Sequence, residues 1–345
     1  MSVGYQAVGW SRQKRIYDTT LAVSVGLYLV LFCGMSALLH PEATAETLII
    51  RGLGTAAFVL LHVILAIGPL CRLDARWLPL LYNRRHLGVT MFLLALGHGG
   101  FSVFQFHALG VLDPFVSVLS SDGSFAGVTT LPFQVFGAAA LLILFLMAAT
   151  SHDFWLANLS APVWKALHML VYVAYTLLIV HVVFGTAQAK GGGAILAATA
   201  LGAAGLVVLH LRAAARERQV DQEAVVPPAG WVDACAVNDI PDTRAKVVRC
   251  SGERVAIFKY DGKLSAVSSV CQHQNGPLGE GRVLDGCITC PWHGYQYKPE
   301  TGASPAPFTE KVPTFEVKIR DGRVWINPKP CPAGTRTEPA KIQVS

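Results

Sequence analysis

Four residues in the last third of the chain carry its strongest chemical pattern. They read Cys271-Gln-His273, then sixteen residues, then Cys290-Pro-Trp-His293. Each half offers one thiolate and one imidazole, ligand types that suit soft and borderline transition metals. Glycine and proline crowd both halves, as tight loops require. Two Cys and two His fit a tetrahedral zinc site, but zinc-finger spacing usually pairs Cys with Cys and His with His. Here each loop holds one of each, so the surrounding fold must decide. The other six cysteines, Cys33, Cys71, Cys235, Cys250, Cys287 and Cys331, share no spacing. They read as reduced structural thiols, which suits a cytoplasmic soluble domain.

A second constellation lies in the first two thirds, where His62, His86, His98, His168 and His181 interrupt apolar runs. An ionisable residue inside a membrane helix is costly and usually faces the bundle interior. Each of the five is either a hydrogen-bonded interior histidine or an axial ligand of haem. Depth favours a pairing. His98 lies about 20 Å from the basic edge at Arg85, and His181 about 24 Å from Lys165, at about 1.5 Å per residue. His86 and His168 share a second level near that edge, so the count is one haem or two. His168 and His181 are thirteen residues apart, which places them on different faces of an ideal helix at about 100° per residue. A kink or π-bulge would realign them.

The elements that must position these groups follow from composition. Hydrophobic residues make up 52% and charged residues 14%, whereas a soluble chain usually carries about 25% charged residues. The deficit is concentrated before residue 213. About six apolar runs reach the roughly 20 residues that a spanning helix needs: 18–40, 50–71, 86–109, 131–150, 163–186 and 192–212. The first starts near Thr19 and has span length rather than signal-peptide length. Basic residues cluster at Arg12–Arg15, Arg72–Arg85, Lys165 and Arg212–Arg218, while the alternate connections hold only Arg51 and Lys190. The positive-inside rule then places both termini in the cytoplasm. The expected organisation is a cytoplasmic segment 1–17, a membrane domain 18–213, a linker 214–229, a small all-β domain 230–328 and a C-terminal tail 329–345. Asp261–Gly262 and Asp321–Gly322 are hairpin turn signals between β-rich runs. The net charge of +6 is explained by residues flanking spans, and no nucleic-acid-binding motif accompanies it.

The Cys-x-His and Cys-x-x-His loops inside a β domain resemble the Rieske family. That resemblance covers about residues 230–328. It implies a [2Fe–2S] cluster with Cys271 and Cys290 on the inner iron and His273 and His293 on the outer iron. Quinol-oxidising members carry an extra cysteine in each loop, joined as a disulfide, and a serine two residues after the second histidine. Here those positions are Gly276, Trp292 and Tyr295. Fewer hydrogen bonds to the cluster imply a ferredoxin of lower potential.

Arg51 through His98, with Pro69–Leu70, Arg84–Arg85 and Leu87–Gly88, resembles the ferric reductase-like transmembrane family. Within it, the resemblance is to the haem-bearing membrane subunit of the bacterial methionine sulfoxide repair system. It implies b-type haem on His98, His168 and His181; His62 and His86 are further candidates that do not fall on clear family positions. The flavin and nicotinamide module of other members is not expected, because no G-x-G-x-x-G follows a strand. Together the two resemblances imply a bacterial-type inner-membrane protein. It would carry electrons from a cytoplasmic reductase through the cluster to haem and an acceptor on the outer side. Two other readings stay open: exchange with membrane quinone, and a redox sensor without catalytic flux.

Overall fold

The computed structural model describes residues 12–120, 132–152, 155, 159, 161–188, 192–222, 230–250, 252–273, 275–292, 294–306 and 308–342. Two compact units form. One gathers 11–68 with 83–210, and the other gathers 69–82 with 211–345 and the first ten residues.

The first unit is a helical bundle. Its helices are α1 (Arg12–Leu39), α2 (Ala45–Leu73), α3 (Arg84–Phe106), α4 (Pro114–Ser120), α5 (Gln134–Thr150), α6 (Ala161–Met169), α7 (Val171–Ala187) and α8 (Gly193–Gln222). Among the described residues, five helical stretches are long and apolar enough to cross a membrane: 14–39, 45–73, 84–106, 163–187 and 193–219. Six were expected. The remaining one coincides with α5, whose 17 residues rise about 26 Å, short of the roughly 30 Å hydrocarbon core. Yet α5 packs on α3 and α7 with Ala140 and Leu144 buried, while Leu142 and Phe145 are exposed. By contrast, α1 leaves Val23, Leu27 and Val30 exposed, as a lipid-facing helix does.

An interruption separates His168 from His181 in the helical run. It falls at Leu170, where α6 stops and α7 begins, and Leu170 N–H donates to Leu167 O at 3.1 Å. That i to i+3 bond tightens the chain and rotates the following helix.

The second unit contains an all-β domain. Its strands are β1 (Val232–Ala236), β2 (Ala245–Cys250), β3 (Glu253–Tyr260), β4 (Lys263–Ser268), β5 (Arg282–Leu284), β6 (Cys287–Thr289), β7 (Gln296–Tyr297), β8 (Thr314–Phe315), β9 (Val317–Arg320), β10 (Arg323–Ile326) and β11 (Ala340–Lys341). Three sheets run β1-β10-β9, β11-β4-β3-β2 with β8 beside β4, and β5-β6-β7. The central strands β3 (Glu253–Tyr260) and β4 (Lys263–Ser268) are buried on both faces, which explains the unbroken apolar run Val255-Ala-Ile-Phe258. Alternate side chains divide two cores. Val255, Ile257 and Leu264 face the core shared with Val317, Val324 and Ile326. Ala256, Phe258 and Val267 face the core shared with Cys271, Ile288 and Cys290. The expected turns form as left-handed pairs, with φ 46° and 67° at Asp261–Gly262 and 50° and 70° at Asp321–Gly322. Both φ values positive is the type I′ geometry that matches strand twist.

Two expected boundaries differ. The linker was placed from 214, but α8 stays helical to Gln222, because Ala213-Ala-Ala-Arg-Glu-Arg is rich in strong helix formers; 223–229 lie outside the described residues. The stretch expected as a tail adds β11 (Ala340–Lys341), paired with Leu264 and Lys263.

Candidate functional site

The two Cys/His loops are built alike. β4 leads into the first loop; β6 (Cys287–Thr289) and β7 (Gln296–Tyr297) bracket the second. In the first, Cys271 N–H donates to Gly276 O at 2.9 Å and Asn275 N–H to Cys271 O at 2.7 Å. In the second, Cys290 N–H donates to Tyr295 O at 2.7 Å and Gly294 N–H to Cys290 O at 3.0 Å. The same two bonds at the same spacing close both loops, and each needs a left-handed residue, Asn275 at φ 58° and Gly294 at φ 74°.

The loops bury both thiols, with Cys271 and Cys290 at 1% and 2% exposure. No disulfide joins them to each other or to Cys33, Cys71, Cys235, Cys250, Cys287 or Cys331. His273 is partly exposed. Its ring stacks on Tyr295 with centroids 4.8 Å apart and planes 7° apart. Burial holds its protonated form below the ordinary histidine range, with Glu310 pulling the other way. His293 lies outside the described residues.

Three residues that the motif did not reveal complete this site. A Cβ on Gly276 would stand 2.7 Å from Cys290 Sγ and 3.3 Å from the Trp292 ring, so the second loop's sulfur occupies space only glycine leaves. Tyr297, fully buried, places its hydroxyl 3.3 Å from Cys271 Sγ and accepts from Gln272 N–H at 3.0 Å. Burial, then the adjacent Cys271, pushes its phenol far above the usual tyrosine range. Tyr295 donates its hydroxyl to Glu310, which fixes the ring against His273. A cluster with two thiolates and two imidazoles fits this donor set. Both sulfurs are buried, Cys271 Sγ meets the Tyr297 hydroxyl, His273 is partly exposed, and Gly276 leaves room for Cys290 Sγ.

In the helical unit, His98 and His181 come together, their ring centroids 6.2 Å apart. Two imidazoles on opposite sides of one metal ion put their centroids about 6 Å apart, from a metal–nitrogen bond of about 2 Å on each side. Each ring is oriented by a carbonyl of a neighbouring helix or its lead-in. His98 Nδ1–H donates to Ile50 O at 2.9 Å, and His181 Nδ1–H to Phe133 O at 3.0 Å. That leaves Nε2 of both as the ligating nitrogen. Each ring also lies on a glycine: a Cβ on Gly54 would meet His98 Nδ1 at 2.7 Å, and one on Gly137 would meet His181 Nδ1 at 2.8 Å. The pair therefore fits an axially ligated haem.

The other histidines are engaged differently. His62 donates to Phe58 O at 2.9 Å and meets Tyr175 Oη at 2.9 Å, so protein groups occupy both nitrogens. His168 donates to Trp164 O at 3.0 Å, meets Ser151 Oγ at 3.3 Å and stacks on Trp164. His86 Nδ1 lies 2.8 Å from Asp18.

A small β domain that buries one cysteine in each of two matched loops, with an imidazole beside the first, is an electron-transfer domain of the Rieske class. Comparison with known proteins agrees. The description "Rieske [2Fe-2S] domain" matches residues 230–316, and "Ferric reductase like transmembrane component" matches 51–179. The ferredoxin component of the alkene monooxygenase system of Xanthobacter autotrophicus is 33% identical over 103 residues, 30% of this chain and 84% of that protein. The cholesterol 7-desaturase nvd of Xenopus laevis is 32% identical over 109 residues, and the match spans 24% of its length. Among solved structures, the Sphingomonas yanoikuyae B1 ferredoxin is similar at 29% identity over 28% of this chain and 98% of its own, with a TM-score of 0.27. The chain belongs to the Rieske [2Fe–2S] family, its Rieske domain following a ferric reductase-like transmembrane component. It is a multi-pass membrane oxidoreductase of electron transport.

Proposed function

We propose that the chain passes single electrons between a [2Fe–2S] cluster on Cys271, His273, Cys290 and His293 and a b-type haem between His98 and His181. When bound, each group supplies a one-electron carrier. The chain's own residues do the rest. The two buried sulfurs exclude water, and the Tyr297 hydroxyl donates to Cys271 Sγ, which favours the more negative, reduced state. His273, held by Tyr295, is the partly exposed edge through which a partner would exchange an electron. Ile50 O and Phe133 O hold the two imidazoles in one tautomer and one orientation.

The observation that carries this reading is the 6.2 Å pairing of His98 with His181 in a chain that also holds a Rieske domain. The helical domain is taken as 18–213 and the Rieske domain as 230–328, with β11 paired back onto it. In a bacterial-type inner membrane, the alternation of basic connections puts both termini and the β domain in the cytoplasm. A cytoplasmic reductase as donor and an acceptor on the outer side complete the path. The Gly276, Trp292 and Tyr295 positions favour flow from cluster to haem.

Spectroscopy of the purified full chain tests it. Reduced protein should show the rhombic EPR signal of two-Cys, two-His ligation and the optical bands of low-spin haem. His98→Ala and His181→Ala should each lose the haem bands and keep the EPR signal. Zinc in place of iron and acid-labile sulfide, or full haem in both variants, would defeat the assignment.

A further inference from the structure

Two pairs of side chains inside the helical unit repeat one hydrogen-bond pattern. His62 on α2 places Nδ1 2.9 Å from Phe58 O, and His210 on α8 places Nδ1 2.9 Å from Leu206 O. A carbonyl oxygen only accepts, so in the neutral ring each Nδ1 carries the hydrogen and each Nε2 is an acceptor. Tyr175 Oη lies 2.9 Å from Nε2 of His62, and Tyr172 Oη lies 3.2 Å from Nε2 of His210. Both tyrosines therefore donate. They stand three residues apart on α7, a spacing that puts two side chains on one helix face with Cβ atoms about 5–6 Å apart.

The two pairs are successive steps of a polar ladder through apolar helices. His210 stands two residues before Arg212 and Tyr172 is the second residue of α7, so the first step lies toward the basic end of the bundle, where Tyr172 is exposed. The second step is enclosed. Phe58 stacks on Tyr175 and meets His62 edge-on, and a Cβ on Gly202 would stand 2.8 Å from His62 Nε2. Tyr175 is six residues before His181, and His62 is eight residues past Gly54, on which His98 rests. Helix rise makes those separations about 9 and 12 Å. The ladder thus ends close to the His98–His181 pair. The helices that touch His62 hold few other titratable groups. On α7 they are Tyr172, Tyr175 and His181, and α8 has none before His210. On α2 the nearest charged residues, Arg72 and Arg51, are ten and eleven residues away, about 15 Å or more by helix rise.

We infer that His62 takes up one proton when the haem between His98 and His181 gains an electron, and that His210 and Tyr172 pass this proton in from water at the basic end. The inference rests on the electron-transfer reading above and supplies the charge that balances each electron. An uncompensated charge inside a membrane bundle is costly. At about 12 Å and an effective dielectric of about 20, two opposite unit charges attract enough to shift an equilibrium about tenfold. The step balances as one electron at the iron and one proton at His62. The proton bonds to Nε2, the ring becomes imidazolium, and the Tyr175 hydroxyl turns to accept from it. Reoxidation releases the same proton along the same groups.

Spectroelectrochemical titration of the haem in the purified full chain, from about pH 5 to about pH 9, tests the coupling around the ordinary histidine range. At low pH the proton is bound in both redox states, and at high pH in neither. The midpoint should therefore fall as pH rises, by about 60 mV in total, the one-electron equivalent of a tenfold coupling. His62→Gln still accepts from Tyr175 but takes up no proton, so its midpoint should be flat at unchanged haem content. Reduced-minus-oxidised infrared spectra should show an imidazolium band in wild type that His62→Gln lacks. Tyr172→Phe and His210→Gln should keep the equilibrium fall and slow proton uptake, read with a pH-indicator dye after rapid reduction. A flat wild-type midpoint, or a fall that persists in His62→Gln, would overturn the proposal. Loss of haem in His62→Gln would do so too, marking His62 as a ligand. Uptake at the wild-type rate in both ladder variants would remove the route. Haem bands in wild type keep these outcomes separate from the electron-transfer reading, which fails only if the bands are absent or survive in both His98→Ala and His181→Ala.

Discussion

Tyr297 bears directly on the redox potential of the site. Its hydroxyl is 3.3 Å from Cys271 Sγ, and a donor to a cluster sulfur stabilises the reduced form more than the oxidised. Tyr297→Phe should keep the cluster and lower its midpoint by roughly 40 mV, the one-electron equivalent of a hydrogen bond of about 1 kcal/mol. Redox titration followed by EPR measures it, and an unchanged midpoint would remove Tyr297 from the site. Elsewhere in the domain, burial pushes the Cys235 thiol up to about 11. Between its unfolded value near 9.0 and that folded value, the folded state keeps a proton that the unfolded state has lost. Stability should therefore fall as pH rises through this window, by on the order of 2 kcal/mol. Alkylation of Cys235 at pH 8, read by mass spectrometry, should be slow until the domain unfolds. The ligand motif was legible because metal chemistry restricts residue type and spacing together. Tyr297 was not, since seven residues past Cys290 it reads as one more buried strand aromatic. Gly276 was legible only as a missing cysteine, and its contact with Cys290 Sγ emerges when the two loops face each other.

The helices position the second site through glycine. Gly54 on α2 and Gly137 on α5 each leave room for an imidazole from α3 or α7, and Gly202 on α8 does the same for His62, whose Nε2 would lie 2.8 Å from its Cβ. Gly137→Val should displace His181 and reduce low-spin haem nearly as far as His181→Ala does. Gly26→Val, where a Cβ meets nothing within 4 Å, should leave the spectrum unchanged. Equal spectra for the two glycine variants would show that close approach is not what seats the ring. Matched depth made the His98–His181 pair legible from helix rise alone. The glycines were not, because contact between α5 and α7 joins residues 44 apart, and no local pattern marks them. The phase mismatch between His168 and His181 was read from an ideal helix, and the break at Leu170 that departs from it needed coordinates.

At the scale of the whole chain, orientation decides which compartment supplies the cluster. In the proposed orientation, basic residues at alternate connections put both termini in the cytoplasm. That proposal requires an even number of crossings, and with it α5 as a span although it is short. A reporter fused after Arg218 should be active only if it works in the cytoplasm, and an active periplasmic reporter there would reverse the proposed path. The two-part organisation was legible in the contrast between 52% hydrophobic residues overall and an ordinary soluble composition after 214. The exact ends of α8 and β11 were not, since helix propensity and strand pairing extend both past the change in composition.

The short reach of α5 has a consequence for the bilayer itself. With about 26 Å of apolar rise against roughly 30 Å of hydrocarbon, the membrane must thin locally on whatever face α5 shows to lipid. Such hydrophobic mismatch costs fractions of a kcal/mol per Å. Small as it is, this term is relieved wherever acyl chains are shorter, so the protein should partition toward the thinner regions of its membrane and carry its electron traffic there.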